Sequence, residues 1–234
     1  TRATGASLRN DIAPDRQGWE PTARAGIAFD AGSITLRSAA YLGWRLPTLN
    51  ELYRPFRVGA DATAANPALK PETMRGAEIG MDVRPADGLV LRATAFTNLL
   101  RDAIGNVTLA SGPGTFPGVG FVSGAYRQRL NLDAVRSHGL ELDARYALGD
   151  WALSASYALS DARITGTNAA RALNGLRPAQ VPKHMASATL GWRTTSLTGR
   201  YVSAQFEDDA NSRRLGSTFT IDGLVAVPLS KRVS

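Results

Sequence analysis

Residues 41–78 read YLGWRLPTLNELYRPFRVGADATAANPALKPETMRGAE, and the pattern of the chain changes at both ends of this stretch. Before it, Ile34, Leu36, Ala40, Leu42 and Trp44 alternate with Thr35, Arg37, Tyr41, Gly43 and Arg45, a period of two that puts apolar and polar side chains on opposite faces of a strand. After it, Ala77, Ile79, Met81 and Val83 alternate with Glu78, Gly80, Asp82 and Arg84. Between them Pro47, Pro55, Pro67 and Pro71, with Gly59 and Asn66, oppose both helix and ladder pairing. The spacing therefore predicts an irregular connection of about 28 residues, far longer than a hairpin needs.

The same alternation recurs on either side. Thr1 to Gly18 reads as the tail of one element and a polar loop, followed by a strand in which Ala23, Ala25, Ile27 and Phe29 share a face. Pro85-Ala86-Asp87-Gly88 is a tight turn, after which Leu89, Leu91, Ala93 and Ala95 oppose Arg92, Thr94 and Phe96. The glycine-rich segment after Ile104 predicts a second excursion of about 20 residues. Arg127 to Tyr146 reads as one very long strand in preference to a hairpin, with Leu140, Leu142, Ala144 and Tyr146 against Gly139, Glu141, Asp143 and Arg145. Trp151 to Leu159, Ala186 to Trp192 and Leu197 to Phe206 continue the pattern, and Phe219, Ile221, Val225 and Val227 close it before Pro228 and Lys231.

About nine strands are thus separated by connections that run long, short, long, short, the asymmetry of an antiparallel transmembrane β-barrel with long extracellular loops and tight periplasmic turns. Trp151 and Trp192 fall beside short turns and Trp44 beside a long loop, where aromatic residues line the two membrane interfaces. Arg37, Glu78, Asp82, Arg92, Glu141, Asp143 and Arg145 lie opposite the aliphatic face. Burying so many charges dry would cost several kcal/mol each, whereas a wet lumen removes the cost. The alternative of another class is a soluble all-β binding module, an antiparallel sandwich with one solvated face, which permits the same alternation; the loop asymmetry tips the balance toward the barrel.

Composition excludes several classes. Cys is absent, so no disulfide framework or thiolate metal site exists. The net charge of +7 comes from Lys and Arg scattered singly, without a basic helix or stacking surface, so no nucleic-acid partner is expected. No run of about 18 apolar residues is present, which removes a transmembrane helix. Position 1 is Thr and no signal-type segment opens the chain, as expected of a processed protein or a piece of one.

The quoted stretch resembles a segment of the TonB-dependent outer-membrane receptors. In that family an upward barrel strand ends in Arg-x-Pro-Thr-Leu-x-Glu-Leu-Tyr, matched here by Arg45, Pro47, Thr48, Leu49, Glu51, Leu52 and Tyr53. Its next strand opens with Asn-Pro-x-Leu-x-Pro-Glu, matched by Asn66, Pro67, Leu69, Pro71 and Glu72, and a weaker match includes Gly139 and Glu141. The resemblance implies a barrel of about twenty-two strands, of which this chain would supply strands twelve to twenty. The N-terminal plug and the last strands would lie outside it. It further implies a Gram-negative outer membrane and its lipid as the setting. The implied role is uptake of a scarce bulky nutrient, such as an iron–siderophore complex, driven by TonB acting through the N-terminal part. Cobalamin or another metal chelate is the alternative cargo. Isolated, with two open edges, the chain is expected neither to insert nor to transport.

Because such motifs shape strand ends, cargo contacts are sought in the loops: Tyr53, Arg54, Phe56 and Arg57 in the first and Phe206 in the fourth. Aromatics with arginines suit anionic chelates. Catalysis is not expected, since the two histidines, His138 and His184, share parity with aliphatic residues near strand ends and converge with no nucleophile. Glu207, Asp208 and Asp209 read as a solvated charge run without the ligand spacing of a calcium loop. No resident metal or cofactor is expected.

Overall fold

A computed structural model describes residues 16–227. The expectations for residues 1–15 and for Pro228 and Lys231 fall outside the described residues. In chain order the elements are β1 (Ala23–Ala31), β2 (Ile34–Arg45), the helix α1 (Leu49–Tyr53), β3 (Phe56–Val58), β4 (Asp61–Ala64), β5 (Glu72–Ala86), β6 (Leu89–Ser111), β7 (Gly114–Phe116), β8 (Gly120–Val122) and β9 (Ala125–Leu148). There follow β10 (Trp151–Thr165), a 3-10 helix (Asn168–Leu173), β11 (His184–Trp192), β12 (Thr195–Val202), β13 (Gln205–Phe206), β14 (Arg214–Leu215) and β15 (Thr218–Val225).

Nine of these strands form one antiparallel meander in the order β1-β2-β5-β6-β9-β10-β11-β12-β15. Tight turns at Gly32, Gly88, Gly149 and Arg193, each with positive φ, sit at one end, and the long connections at the other. The pairing register explains why the sheet has two characters. One line across all nine strands reads Phe29, Leu36, Met81, Ala93, Leu142, Tyr157, Ala186, Tyr201 and Phe219. The adjacent line reads Asp30, Thr35, Asp82, Arg92, Asp143, Ser156, Ser187, Arg200 and Thr220. Because successive residues face opposite sides, one face is wholly apolar along its line and the other wholly polar.

The polar face satisfies itself laterally. Asp82 pairs with Arg37 at 3.1 Å and Arg92 at 3.3 Å, and Arg37 also donates to the Thr94 hydroxyl at 2.7 Å. Among the described residues no ion pair joins the members of the apolar line, and Ile27, Phe29, Ile79, Leu197, Phe219 and Ile221 are exposed on that face. Trp151 and Trp192 lie side by side at its turn end, ring centroids 6.0 Å apart, with Arg193 over Trp192. Among the described residues no helix is long and apolar enough to cross a membrane, and the outer edges of β1 and β15 have no partner.

The long connections are more ordered than the sequence predicts. Prolines do not keep residues 46–71 irregular: Pro47 and Pro55 flank α1, outside its hydrogen-bonded turn, and Thr48 and Glu51 close a reciprocal capping box. β3 and β4 form a small hairpin, and β4 then pairs in parallel with β9 at Ala62–Tyr126 to Ala64–Gln128. That edge of β9 is free because β10 stops at Thr165, opposite Ala134. The first connection therefore crosses the β6–β9 ribbon to its far edge and returns. The return is fastened by the Asn66 amide on the Arg129 carbonyl (2.9 Å) and the Asn131 side chain on both backbone groups of Lys70.

The second excursion is likewise shorter than predicted. β6 continues through Val107 to Ser111, paired with β9, and a hairpin of β7 and β8 caps it. β9 is one strand of 24 residues, in agreement with the reading of Arg127 to Tyr146. At Asp102, φ is +51° and the ladder to Asp133 is interrupted. The register is the same on both sides of this irregular pair, yet the facing changes across it, so that Leu100 and Val135 before it and Ala103 and Leu132 beyond it reach the same cluster. Val107, Ile164, Ala170 and Leu173 complete that cluster, with the 3-10 helix folded over the strand ends.

Candidate functional site

Above the polar face, where the loops gather, the strands enclose a cavity of about 760 Å³. Its floor is apolar, with Leu100, Ala103, Leu132, Val135 and Ile164 from the strands and Leu173 from the 3-10 helix. Phe56 and Val58 come from the first connection, and Pro178 to Val181 from the third. Asp61, Glu72, Arg127, Glu207, Asp208, Asp209 and Arg213 provide charge.

The motif residues build the root of the first connection. Arg45 bridges two carboxylates, Glu72 at 2.5 Å and Glu51 at 2.9 Å. Burial raises the Glu51 pKa, but Arg45 and the Thr48 N–H and hydroxyl outweigh it and hold the carboxyl below its usual range. Glu72 is 8% exposed, and its second oxygen accepts the Ile104 N–H at 2.6 Å. Leu69 is completely buried, and the Asn66 side chain accepts the Ala68 N–H in an Asx turn. Pro67 is the central residue of that turn and Pro71 follows it just before β5, while Leu49 is exposed and Leu52 half-buried. Gly139 admits no side chain, because a Cβ there would lie 2.0 Å from the Leu159 carbonyl oxygen and against Phe96. Glu141 stands on the polar face between Thr94 and Ala158.

Of the five loop positions singled out for cargo, Phe56 lines the cavity, with the Arg129 guanidinium 5.0 Å from its ring centroid. Tyr53 and Arg54 end α1 on the surface, and the Arg54 carbonyl accepts from Arg129 at 3.0 Å. The Arg57 guanidinium donates to the carbonyls of Val119 and Phe121. Phe206 is half-buried in β13 opposite Arg214. His184 bonds the Tyr157 hydroxyl at 2.8 Å on the apolar face, and His138 is exposed.

The charge run is not solvated: Asp208 and Asp209 are 7% and 9% exposed, and Glu207 alone reaches solvent freely. Asp209 turns inward and accepts from the Thr108 N–H (2.6 Å) and hydroxyl (2.8 Å), beside the register shift of β6 between Thr108 and Ala110. Asp208 accepts from the N–H groups of Ser212 and Arg213 and from the Ser212 hydroxyl. Arg127 ties Asp61 at 2.9 Å and lies 3.9 Å from Asp209, joining the first and fourth connections. No single-residue signal in the sequence marks this pairing of distant loops.

For Asp208, burial raises the pKa but the Arg213 and Ser212 donors outweigh it; for Asp61, the Ala125 N–H leads and Arg127 adds to it, so both carboxyls lie below the ordinary range. A depressed folded-state pKa stabilises fully above the unfolded value and is lost as pH falls through the folded one. Protection of the Ala125 and Arg213 amides from hydrogen exchange, corrected for intrinsic rate, should hold from about pH 7 to pH 5 and fall below about pH 4. Unchanged protection down to about pH 2.5 would contradict these roles.

A nine-stranded antiparallel sector, apolar outside and polar inside, with a cavity at its loop end, defines a transmembrane barrel protein of the receptor type. The family description "TonB dependent receptor-like, beta-barrel" matches residues 1–234, and the chain belongs to that family, whose place is the Gram-negative outer membrane. It is 30% identical over 164 residues to the ferrichrome outer membrane transporter/phage receptor of Escherichia coli, covering 66% of this chain and 20% of that protein. It is 28% identical over 175 residues to the iron-regulated outer membrane virulence protein of Vibrio cholerae, covering 74% and 26%. The chain thus spans about a quarter or less of the length of these relatives. Among solved structures it resembles the siderophore receptor PiuA from Acinetobacter baumannii, with a TM-score of 0.64 and 18% identity, covering 90% of this chain and 30% of that one.

Proposed function

We propose that the chain is a sector of an outer-membrane receptor that takes up a scarce, bulky nutrient, foremost an iron–siderophore complex, with energy delivered by TonB. The observation that carries this reading is the cavity of about 760 Å³ at the loop end of a polar-faced barrel sector, within the size range of small-molecule sites. The names of the Escherichia coli and Vibrio cholerae relatives support iron as the cargo metal. In the proposed whole protein, further strands pair with the free edges of β1 and β15, since lipid leaves no unpaired edge, and TonB engages a segment outside the described sheet.

The test is uptake of radiolabelled ferric chelates by iron-starved cells that have no other high-affinity receptor and produce the protein. Accumulation should depend both on the protein and on TonB. Accumulation that persists without TonB, or none with any ferric chelate, would refute the proposal.

A further inference from the structure

The cavity wall carries information about cargo charge. Five carboxylates line it, from Asp61, Glu72, Glu207, Asp208 and Asp209, against the guanidinium groups of Arg127 and Arg213. Arg45 neutralises Glu72 at 2.5 Å, which leaves four carboxylates facing two cations. Both cations are already engaged: Arg127 by Asp61 at 2.9 Å, and Arg213 by Glu207 at 3.6 Å. Asp208 has no ion-pair partner among the described residues, and its bonds come from two backbone N–H groups and a hydroxyl. Neutral donors stabilise a carboxylate in its charged form without cancelling its charge.

The arginines that the sequence offers as anion contacts do not alter this balance at the wall. Arg54 caps α1 at the surface, Arg57 is spent on the carbonyls of Val119 and Phe121, and neither lines the cavity. The apolar floor of Leu100, Leu132 and Leu173 lowers the local dielectric and lengthens the reach of the surplus negative charge.

We propose that the cavity selects metal chelates that are electrically neutral or positively charged and disfavours polyanionic ones, an inference that rests on the cargo reading above. Hydroxamate-type ferric complexes have this charge, whereas tris-catecholate complexes are trianionic. The acidic wall need not bind metal directly: it sets a field that a polyanion must enter at a cost. Asp208 and Asp61, both held below the usual carboxylate range, keep that field in place at neutral pH.

The experiment measures binding to outer membranes containing the protein, with three ferric probes of similar size: a neutral trihydroxamate, a trihydroxamate bearing one free ammonium, and a tris-catecholate. The first two should bind at least about tenfold more tightly than the third at low ionic strength, with the gap narrowing as salt is added. Glu207→Lys reverses a charge on a solvent-facing residue and should shift the ratio toward the catecholate by about tenfold. Tighter or equal binding of the catecholate, or a ratio unmoved by Glu207→Lys, overturns the charge preference while leaving the cargo reading intact. Binding of none of the three overturns the cargo reading itself, and this inference with it.

Discussion

Leu142→Arg is expected to destabilise the barrel by about 2–4 kcal/mol, the cost of a guanidinium on the lipid face near the bilayer midplane. Leu142 lies at the centre of the apolar line, between Ala93 and Tyr157, with Met81 and Ala186 one strand further on each side. No carboxylate shares that line, so an arginine there has neither a partner nor a short path to water. The measurement is the fraction of protein recovered folded in outer membranes, followed by its unfolding midpoint in denaturant. Ser156→Arg serves as the control. Ser156 pairs with Asp143 on the polar line, one register step away, and a new cation there meets a carboxylate in a wet interior. The control should change stability by less than about 1 kcal/mol. Equal losses from both substitutions would mean that the two faces have been assigned to the wrong media.

This contrast was legible in the sequence because side-chain direction in a strand has an invariant period of two. Leu140, Leu142 and Ala144 against Gly139, Glu141 and Asp143 needed no knowledge of their partners, and the strand count and order followed from the same arithmetic. What remained hidden were features set by contacts distant in sequence. Asp102 takes a positive φ inside a continuous strand that has neither Gly nor Pro beside it, so nothing local announces the irregular pair beyond which Ala103 and Leu132 face the core. The prolines at 47 and 55 read as breakers of a whole loop, although they bound a helix whose capping box, Thr48 with Glu51, stands openly in the sequence. Asp208 and Asp209 look solvated because acidic runs usually are. Asp209 is buried against donors at Thr108, about a hundred residues away, that no window of sequence contains, whereas Asp208 accepts from Ser212 and Arg213 within its own loop.

Glu72 is where the two halves of the signature stretch meet, and its removal should have the second largest effect. Its carboxylate receives the Arg45 guanidinium on one oxygen and the Ile104 N–H on the other, where β5 parts from β6 beyond the Thr73–Arg101 pair. Glu72→Ala orphans a backbone donor and removes one of the two carboxylates on Arg45. Buried ion pairs broken on one side cost about 3–5 kcal/mol, but Arg45 is 45% exposed and keeps Glu51, so about 2–3 kcal/mol is expected here. Glu72→Gln retains an acceptor for Ile104 and should cost about half as much. Because Glu72 ends the return of the first connection across the ribbon, its loss should also free that connection. Tryptic cleavage after Arg57, on the exposed β3, should accelerate in the order Gln, then Ala, while cleavage after Arg193, at the opposite end of the sheet, should not. If the two substitutions lose equal stability, the guanidinium alone holds the root; if neither accelerates cleavage, the connection is held by Asn66, Asn131 and the β4–β9 pairing without Glu72.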